Sequence, residues 1–446
     1  MGQLFGTDGI RGEANRDLTP DLALNISRIG AYLLAENNEK ASMVVGRDTR
    51  LSGDMLEGAI ISGITSLGID VHLAGIISTP GVPFLIRELK AQGGIMISAS
   101  HNPVEDNGIK FFDSRGLKLS DELEEKIEEY YFQGKNNLPR PGGDRVGRTH
   151  KIDDASFRYI DFLKGTFGGN LKGLKVVVDC ANGALYHIAP FLFEELGATV
   201  ISLHNCPDGE RINVECGSTH PEMVREVLLQ HGAHAGFTFD GDGDRLIAVD
   251  EKGNIVDGDQ IMIICGNYLK ERGALQKDTI VATVMSNLGM DLAAQRLGLN
   301  IKRTRVGDRY VLEAMLREGY NFGGEQSGHI IFLNHNTTGD GALTALNLAK
   351  VITSTEKPLS QLAELMERLP QVLKNARVKS NKEVFGNERI QEAIKKVEDK
   401  LGEKGRVLVR PSGTEPLVRV MLEGPNEDEL HIMASGITKV IEEELS

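Results

Sequence analysis

Three carboxylates alternate with glycine in the segment Asp240-Gly-Asp-Gly-Asp-Arg245. Because glycine has no side chain, Asp240, Asp242 and Asp244 can converge on one hard cation such as Mg²⁺ or Ca²⁺. An EF-hand loop is rejected, since its sixth position requires Gly where this chain has Arg245, and the flanking residues are typical of strands. An acidic hairpin without a cation would leave three like charges in mutual repulsion. The spacing therefore predicts a metal site.

A serine-histidine pair follows a short apolar run in Ile95-Met-Ile-Ser-Ala-Ser-His-Asn-Pro103. The apolar run predicts a buried strand, and Asn-Pro is typical of a turn. Ser98, Ser100 and His101 would then lie where the strand ends, which is where ligands bind in parallel α/β sheets. Taken alone, such a serine could be a nucleophile, a phosphate carrier or a turn cap. Lys110 could reach the same place or be an ordinary solvated lysine.

The segment Gly323-Gly-Glu-Gln-Ser-Gly-His329 combines glycines with hydrogen-bonding side chains. Its glycines permit close approach of a ligand, and Glu325, Ser327 and His329 could bind the hydroxyls of a polyhydroxylated molecule. A glycine-rich turn with a structural histidine is the alternative interpretation.

A fourth loop, Arg410-Pro-Ser-Gly-Thr-Glu-Pro416, is followed closely by Arg419. Its hydroxyls, backbone N–H groups and guanidinium are what a phosphate dianion requires. The alternative is a tight turn in which Arg410 pairs with Glu415. Near the N-terminus, Arg11 lies among glycines and could likewise face a phosphate or cap a turn.

Composition excludes several classes of protein. The net charge of −14 argues against nucleic acid or an anionic membrane as the general partner, but allows a small phosphorylated ligand. The four cysteines show no metal-binding spacing, the N-terminus lacks a signal peptide, and no segment is long enough to span a bilayer. We therefore expect a soluble, cytoplasmic protein. The absence of a P-loop or a Gly-x-Gly-x-x-Gly turn disfavours nucleotide binding.

Three segments repeat one order of elements: apolar strand, loop, amphipathic helix, Leu-Gly and second strand. They begin at Met43, Lys175 and Thr279, and each continues with another helix, a strand and a loop. Three loops therefore occupy equivalent positions in their repeats: the serine loop (Ser98–Pro103), the acidic loop (Asp240–Arg245) and the glycine-rich loop (Gly323–His329). This predicts three related α/β domains with mixed sheets around a central cleft, plus a smaller C-terminal α+β domain. The expected domain ranges are 1–150, 151–253, 254–368 and 369–446.

The four loops, in this order, resemble those of the α-D-phosphohexomutase superfamily over essentially the whole chain. Within it, Leu4-Phe-Gly-Thr-Asp-Gly-Ile-Arg-Gly12, Ile97–Pro103 and Gln326 are similar to the bacterial branch that acts on glucosamine phosphates. The resemblance implies interconversion of glucosamine 6-phosphate and glucosamine 1-phosphate through a phosphoserine enzyme and glucosamine 1,6-bisphosphate, supplying UDP-N-acetylglucosamine for the cell wall. A phosphomannomutase/phosphoglucomutase and a non-catalytic sugar-phosphate sensor are the alternatives.

The same resemblance implies roles for individual residues. Ser100 would carry the phosphate, and Ser98 would be structural. One phosphoserine oxygen would hold Mg²⁺ together with Asp240, Asp242 and Asp244. Substrate binding is expected of Glu325, Ser327, Arg410, Ser412, Gly413, Thr414, Arg419 and Arg245. Charge stabilisation and proton transfer are expected of Arg11, His101, Lys110 and His329.

One segment departs from the superfamily pattern. Relatives that use mannose or glucose phosphates often carry His where this chain has Gly307-Asp308-Arg309. That departure favours the glucosamine branch and puts a proton-transfer histidine at this position in doubt. A small phosphosugar is the expected partner. The oligomeric state stays open, with a homodimer as one possibility.

Overall fold

A computed structural model describes residues 4–6, 8–35, 38, 40–134, 138–379, 384–411 and 417–445, with the backbone alone of Glu403. The chain forms two compact units, one made of Met1–Met285 and Leu299–Leu365, the other of Ser286–Gly298 and Met366–Ser446. Among the helices described, none combines the length and the apolar character needed to cross a membrane.

The first sheet of the larger unit has six strands in the order β1-β5-β4-β2-β3-β6. Its elements along the chain are β1 (Ile10–Glu13), α1 (Pro20–Ala35), β2 (Ser42–Arg47), α2 (Ser52–Thr65), β3 (Asp70–Ile76), α3 (Gly81–Leu89), β4 (Gly93–Ile97), β5 (Asp106–Asp113), α4 (Asp121–Phe132) and β6 (Thr149–Lys151). Apolar side chains of the strands and of α1, α2 and α4 form one core that includes Ile26, Val45, Ile60, Ile95 and Ile127. The central strands β2 and β4 are buried on both faces, which accounts for their apolar residues at consecutive positions.

The second sheet has five strands in the order β11-β10-β9-β7-β8. Its elements are α5 (Ala155–Phe167), β7 (Lys175–Asp179), α6 (Ile188–Glu195), β8 (Thr199–Leu203), α7 (Glu222–His231), β9 (Ala235–Phe239), β10 (Leu246–Asp250) and β11 (Ile255–Val256). Strands β9 and β10 pair antiparallel, with Phe239 opposite Leu246. The acidic segment is thus the loop of a hairpin between two buried strands, which confirms the rejection of an EF-hand.

The third sheet has four strands in the order β13-β12-β14-β15. This part of the chain contains α8 (Gly258–Glu271), β12 (Thr279–Thr283), α9 (Leu288–Leu297, in the smaller unit), β13 (Asn300–Thr304), α10 (Asp308–Glu318), β14 (Phe322–Gly324), β15 (Ile330–Phe332), α11 (Gly341–Thr355) and α12 (Leu359–Ala363). Asp340 caps α11 by accepting the Leu343 N–H at 2.9 Å, which satisfies one of the free donors of the first helical turn.

The smaller unit contains an antiparallel sheet in the order β16-β18-β17. Its elements after α9 are β16 (Gln371–Arg377), α13 (Glu388–Leu401), β17 (Arg406–Pro411), β18 (Leu417–Glu423) and α14 (Glu427–Leu445). Val372, Val420, Ile390 and Ile437 belong to its separate apolar core. The predicted α+β character of the C-terminal region is therefore confirmed.

The first three sheets repeat one arrangement. In each, a central strand (β2, β7 or β12) pairs in parallel with two neighbours. One of those neighbours (β4, β9 or β14) then runs into a loop and an antiparallel strand. The loops that the sequence marked as chemically rich lie at these three equivalent positions, as predicted. The glycines of the three Leu-Gly pairs, Gly68, Gly197 and Gly298, all have positive φ, as a helix stop requires.

Candidate active site

Ser100 lies in the loop after β4 in a conformation that is unusual for a residue with a side chain. Its φ is 54°, in the left-handed region, and it is buried. Its hydroxyl donates to Asp240 Oδ2 at 2.5 Å and lies 3.3 Å from His101 Nδ1. The first and second sheets therefore bring the predicted serine and the acidic hairpin into direct contact. Ser98 is a hydrogen-bond partner of the Ser100 backbone, in keeping with a structural role.

Asp240, Asp242 and Asp244 form a buried group of carboxylates, called here the acidic group. Oxygens of Asp240, Asp242 and Asp244 lie within 4.8 Å of one another. Burial, and then the charges of Asp244 and Asp242, raise the pKa of Asp240 well above its ordinary value. Oδ1 of Asp242 and Oδ1 of Asp244 have no hydrogen-bond partner among the described residues. Buried oxygens without a partner, on three convergent carboxylates, fit a small hard cation such as Mg²⁺.

Lys110 is buried against this group. Its Nζ lies 2.8 Å from Asp242 Oδ2, 3.6 Å from Asp244 Oδ2 and 3.0 Å from Asp8 Oδ2. Burial alone would lower the pKa of Lys110, but Asp242, Asp8 and Asp244 raise it well above the ordinary value. The amine therefore stays charged at neutral pH and offsets part of the acidic group's charge. The alternative of a solvated lysine is wrong.

Arg11 and Lys118 extend the charged network through Asp8. The Asp8 carboxylate accepts hydrogen bonds from Arg11 and Lys118, and Lys118 also bonds to Asp308. Arg11 donates a second hydrogen bond to Asn102 Oδ1 at 3.0 Å. Burial lowers the pKa of Lys118, but Asp308 and Asp8 outweigh it and raise this pKa. Arg11 thus joins the N-terminal segment to the turn that follows Ser100.

The two predicted histidines have different environments. Burial and the charges of Arg245 and Arg11 lower the pKa of His101 to about 4, so its ring is neutral at pH 7. His329 is buried, and its Nε2 accepts the Gly339 N–H at 3.0 Å. The ring hydrogen of His329 therefore belongs on Nδ1, which lies 3.5 Å from Asp244 Oδ2. His101 is the one placed beside the serine.

A cavity of about 430 Å³ opens beside these groups and is large enough for a small ligand. Its polar lining consists of Asp8, Arg11, His101, Asp244, Arg245, Asp308, Glu325 and His329. Glu325 accepts the Gly307 N–H at 3.1 Å, and burial raises the pKa of its carboxyl group. The Ser327 hydroxyl has no hydrogen-bond partner among the described residues. Arg245 lies in the cavity wall, next to the acidic group.

The fourth predicted loop lies in the smaller unit. Arg410 on β17 is directly opposite Arg419 on β18, and both are exposed. Ser412, Gly413 and Thr414 lie outside the described residues. Two guanidinium groups on adjacent strands are a suitable pair for a phosphate dianion.

Several residues of the site are not predicted by the sequence patterns. Thr79, after β3, donates its hydroxyl to Asp242 Oδ2 at 2.5 Å and its N–H to the Asp242 carbonyl at 2.8 Å. Asp8 and Lys118 were also missed. Asp8 lies in the same N-terminal motif as Arg11, so that motif contained a usable signal. Thr79 and Lys118 carried no local signal, because their partners come from distant strands and loops.

A second group of potential metal ligands lies in the larger unit. Ligand atoms of Asp179, His204 and Cys216 are within 4.8 Å of one another. The Asp179 oxygens, however, already accept the backbone N–H groups of Ala181 and Gly217, at 2.8 and 3.0 Å. Burial raises the pKa of the Cys216 thiol to about 12. We therefore assign this carboxylate a role in ordering the surrounding turns.

Comparison with known proteins agrees with this arrangement along the whole chain. Four family models match, described as phosphoglucomutase/phosphomannomutase alpha/beta/alpha domains I, II and III and C-terminal domain, over residues 2–138, 158–253, 257–369 and 373–440. A phosphoglucomutase/phosphomannomutase family protein from Burkholderia thailandensis, solved by crystallography, has the same fold, with a TM-score of 0.83 at 24% identity over 98% of this chain and 97% of the other. The chain therefore belongs to the phosphoglucomutase/phosphomannomutase family.

Its curated relatives specify a branch of that family. The chain is 53% identical over 444 residues to the phosphoglucosamine mutase of Clostridium acetobutylicum, covering 99% of both chains. It is 55% identical over 443 residues to the phosphoglucosamine mutase of Carboxydothermus hydrogenoformans, covering 99% of this chain and all of that relative. The branch indicated by the N-terminal motif, the serine loop and Gln326 is thus confirmed.

Proposed function

We propose that the chain is a Mg²⁺-dependent mutase that interconverts glucosamine 6-phosphate and glucosamine 1-phosphate. The full-length similarity to phosphoglucosamine mutases supports this substrate. The observation that carries the mechanism is the contact between the Ser100 hydroxyl and Asp240, at the edge of three convergent carboxylates. A serine placed against a cation site, beside a cavity whose wall includes Arg11 and Arg245, suits a group that carries a phosphoryl group.

Ser100 acts in this proposal as a phosphate carrier. Phosphoryl transfer depends on positioning and charge stabilisation more than on covalent chemistry from the protein. When bound by Asp240, Asp242, Asp244 and a phosphoserine oxygen, Mg²⁺ would supply positive charge to the phosphoryl group in transfer. Lys110, held in place by buried carboxylates, adds a fixed positive charge beside the same oxygens.

The walls of the cavity provide the remaining functions. Glu325, which lines the cavity, and Ser327, two residues further along the same loop, bind sugar hydroxyls. Arg11 and Arg245 provide positive charge against the phosphate. The neutral His101 ring lies beside the reacting hydroxyl and is our candidate for proton transfer. His329 orients Asp244: its Nε2 already accepts the Gly339 N–H, so Nδ1 is the nitrogen that faces the Asp244 carboxylate.

Two phosphoryl transfers complete the reaction. The first would convert glucosamine 6-phosphate to glucosamine 1,6-bisphosphate, and the second would return a phosphoryl group to Ser100 after the intermediate has reversed its orientation. Arg410, Arg419 and the segment Ser412–Thr414 are the proposed binding group for the phosphate that is not reacting. The product would then feed synthesis of UDP-N-acetylglucosamine in the cytoplasm.

Ser100→Ala tests the proposal. The purified wild-type protein, incubated with Mg²⁺ and glucose 1,6-bisphosphate, should gain one phosphoryl group by intact mass and interconvert the two glucosamine phosphates. Ser100→Ala should gain none and lose activity, while Ser114→Ala, at an exposed turn, should behave as the wild type does. Faster turnover of glucose or mannose phosphates would favour the phosphomannomutase/phosphoglucomutase alternative. Sugar phosphate binding without Ser100 phosphorylation would favour the sensor.

A further inference from the structure

Arg50 lies against the serine loop and does not line the cavity. Its side chain is completely buried, and it follows β2 in the segment Gly46-Arg-Asp-Thr-Arg50. A guanidinium group has five N–H donors in one plane. In this protein all five are used, by Asp48 Oδ2 and by the backbone carbonyls of Ser100, Asn102, Pro103 and Asp106. Four of its five acceptors thus belong to the serine loop and the start of β5.

The Ser100 backbone is held on both sides. Its carbonyl oxygen accepts from Arg50 Nη2 at 3.1 Å, and from Asn213 Nδ2 at 2.9 Å. Its N–H donates to Ser98 Oγ at 2.9 Å, and Ser98 in turn donates to Asp48 Oδ2 at 2.6 Å. Asp48 Oδ2 also accepts from Arg50 Nε at 3.1 Å. The Asp48 carboxylate therefore connects Arg50, which holds the Ser100 carbonyl, with Ser98, which holds the Ser100 N–H. We call these three residues the clamp.

The left-handed conformation of Ser100 explains why such a clamp is needed. A residue with a β-carbon adopts this conformation at a cost in free energy, and it persists only where surrounding contacts hold it. In the observed conformation the Ser100 hydroxyl reaches Asp240 at 2.5 Å. If the backbone relaxed to a common conformation, the hydroxyl would be carried away from the carboxylates. Arg50 and Ser98 hold the carbonyl and the N–H of Ser100, so their contacts restrain its backbone torsion angles directly.

We propose that Asp48, Arg50 and Ser98 are positioning residues that hold Ser100 against the acidic group for each phosphoryl transfer. This inference rests on the proposed function, since it requires Ser100 to be the phosphate carrier. None of the three touches the cavity, so they act through Ser100 and contribute little to binding of the sugar. A change in this clamp should therefore lower kcat and leave KM nearly unchanged.

Arg50→Lys is the first test, because lysine keeps the charge but has three donors for five acceptors. Arg28→Lys is a matched control, since Arg28 is also buried and donates to carbonyls of another loop, those of Leu138 and Pro139. Displacement of a reacting group by about 1 Å can cost about 100-fold in rate. We expect Arg50→Lys to lower kcat and the single-turnover rate of transfer from phosphorylated Ser100 by about this factor, with KM within about threefold of the wild type. Arg28→Lys should change neither parameter by more than about threefold.

A kcat for Arg50→Lys within about threefold of the wild type would overturn the proposal, as would an equal loss of kcat in Arg28→Lys. If Arg50→Lys does not fold, Ser98→Ala decides, because it removes only the link between Asp48 and the Ser100 N–H. It should lower kcat about tenfold at unchanged KM. Ser27→Ala, a change at another buried serine, should leave kcat unchanged. Equal kcat values for Ser98→Ala and Ser27→Ala would contradict the inference. Failure of the wild type to accept phosphate on Ser100 would instead refute the proposed function.

Discussion

Asp8→Asn tests whether the charged network beside the cavity holds the N-terminal segment to the site. The Asp8 carboxylate contacts three cations: Lys110 Nζ at 3.0 Å, and Arg11 and Lys118 through hydrogen bonds. Asparagine has nearly the same shape, so the substitution removes the charge and leaves the volume. The asparagine amide N–H₂ would also face Arg11, Lys110 and Lys118, which are hydrogen-bond donors and cannot accept from it.

The magnitude follows from the distances. At an effective dielectric constant of about 20, unit charges at this 3.0 Å separation attract by about 5–6 kcal/mol. Desolvation of the charges offsets much of this attraction, and removal of one partner from a buried ion pair costs about 3–5 kcal/mol in total. The Asp8 side chain is 22% exposed, so water replaces part of what is lost. We expect Asp8→Asn to lower the free energy of unfolding by about 2–4 kcal/mol at neutral pH.

The pH dependence gives a second test of the same interaction. Burial alone would raise the pKa of Asp8, but Lys110, Lys118 and Arg11 lower it well below its ordinary value. In the unfolded chain the pKa of an aspartate is about 3.9. A carboxyl group with a depressed folded-state pKa contributes its stability above the unfolded value and loses it as the pH falls. The difference between the wild type and Asp8→Asn should therefore be constant near neutrality and shrink below about pH 4.

Urea denaturation followed by circular dichroism measures both effects, since the chain has no Trp to report by fluorescence. Asp17→Asn provides the control, because Asp17 is exposed and accepts one backbone N–H from Glu13 at 3.1 Å. This control should change stability by no more than about 0.5 kcal/mol. The reasoning is refuted if Asp8→Asn matches the wild type at neutral pH, or if their difference does not diminish in acid.

Two other predictions concern the acidic group. Mg²⁺ at about 100 times its dissociation constant should stabilise the wild type by about 2.7 kcal/mol and restore activity removed by a chelator. Asp242→Asn should show much less of either effect in thermal denaturation and activity assays, and equal stabilisation would place the ion elsewhere. Gly339→Ala would bring a β-carbon within 2.5 Å of the His329 ring, so it should cost about 1–3 kcal/mol and lower activity. Gly58→Ala, which meets no atom within 4 Å, should cost nothing, and equal stability of these two variants would contradict the steric argument.

Local pattern was enough to predict the three equivalent loops. Strand, helix and Leu-Gly signals depend on residues close in the chain, so they can be counted along it. The acidic hairpin was predicted for the same reason, because its three carboxylates lie within one loop. Their alternation with glycine implies convergence whatever the remaining fold. Sequence pattern likewise placed Ser98, Ser100 and His101 where a strand ends at a turn, and the resemblance to the superfamily then singled out Ser100.

Tertiary structure decided which groups act on those loops. Lys110 became part of the site because β5 pairs with β4 and places its amine against Asp242, from a strand more than a hundred residues away in the chain. Arg50 has its acceptors in the serine loop because β2 and β4 are neighbours in the sheet. Spacing along the chain allowed Lys110 to reach the serine loop, but the partners of Lys110 and Arg50 depend on strand order and on the packing of separate sheets. Residues close together in the chain thus specify the reactive loops, whereas the contacts that Lys110 and Arg50 make with those loops depend on strand pairing and sheet packing.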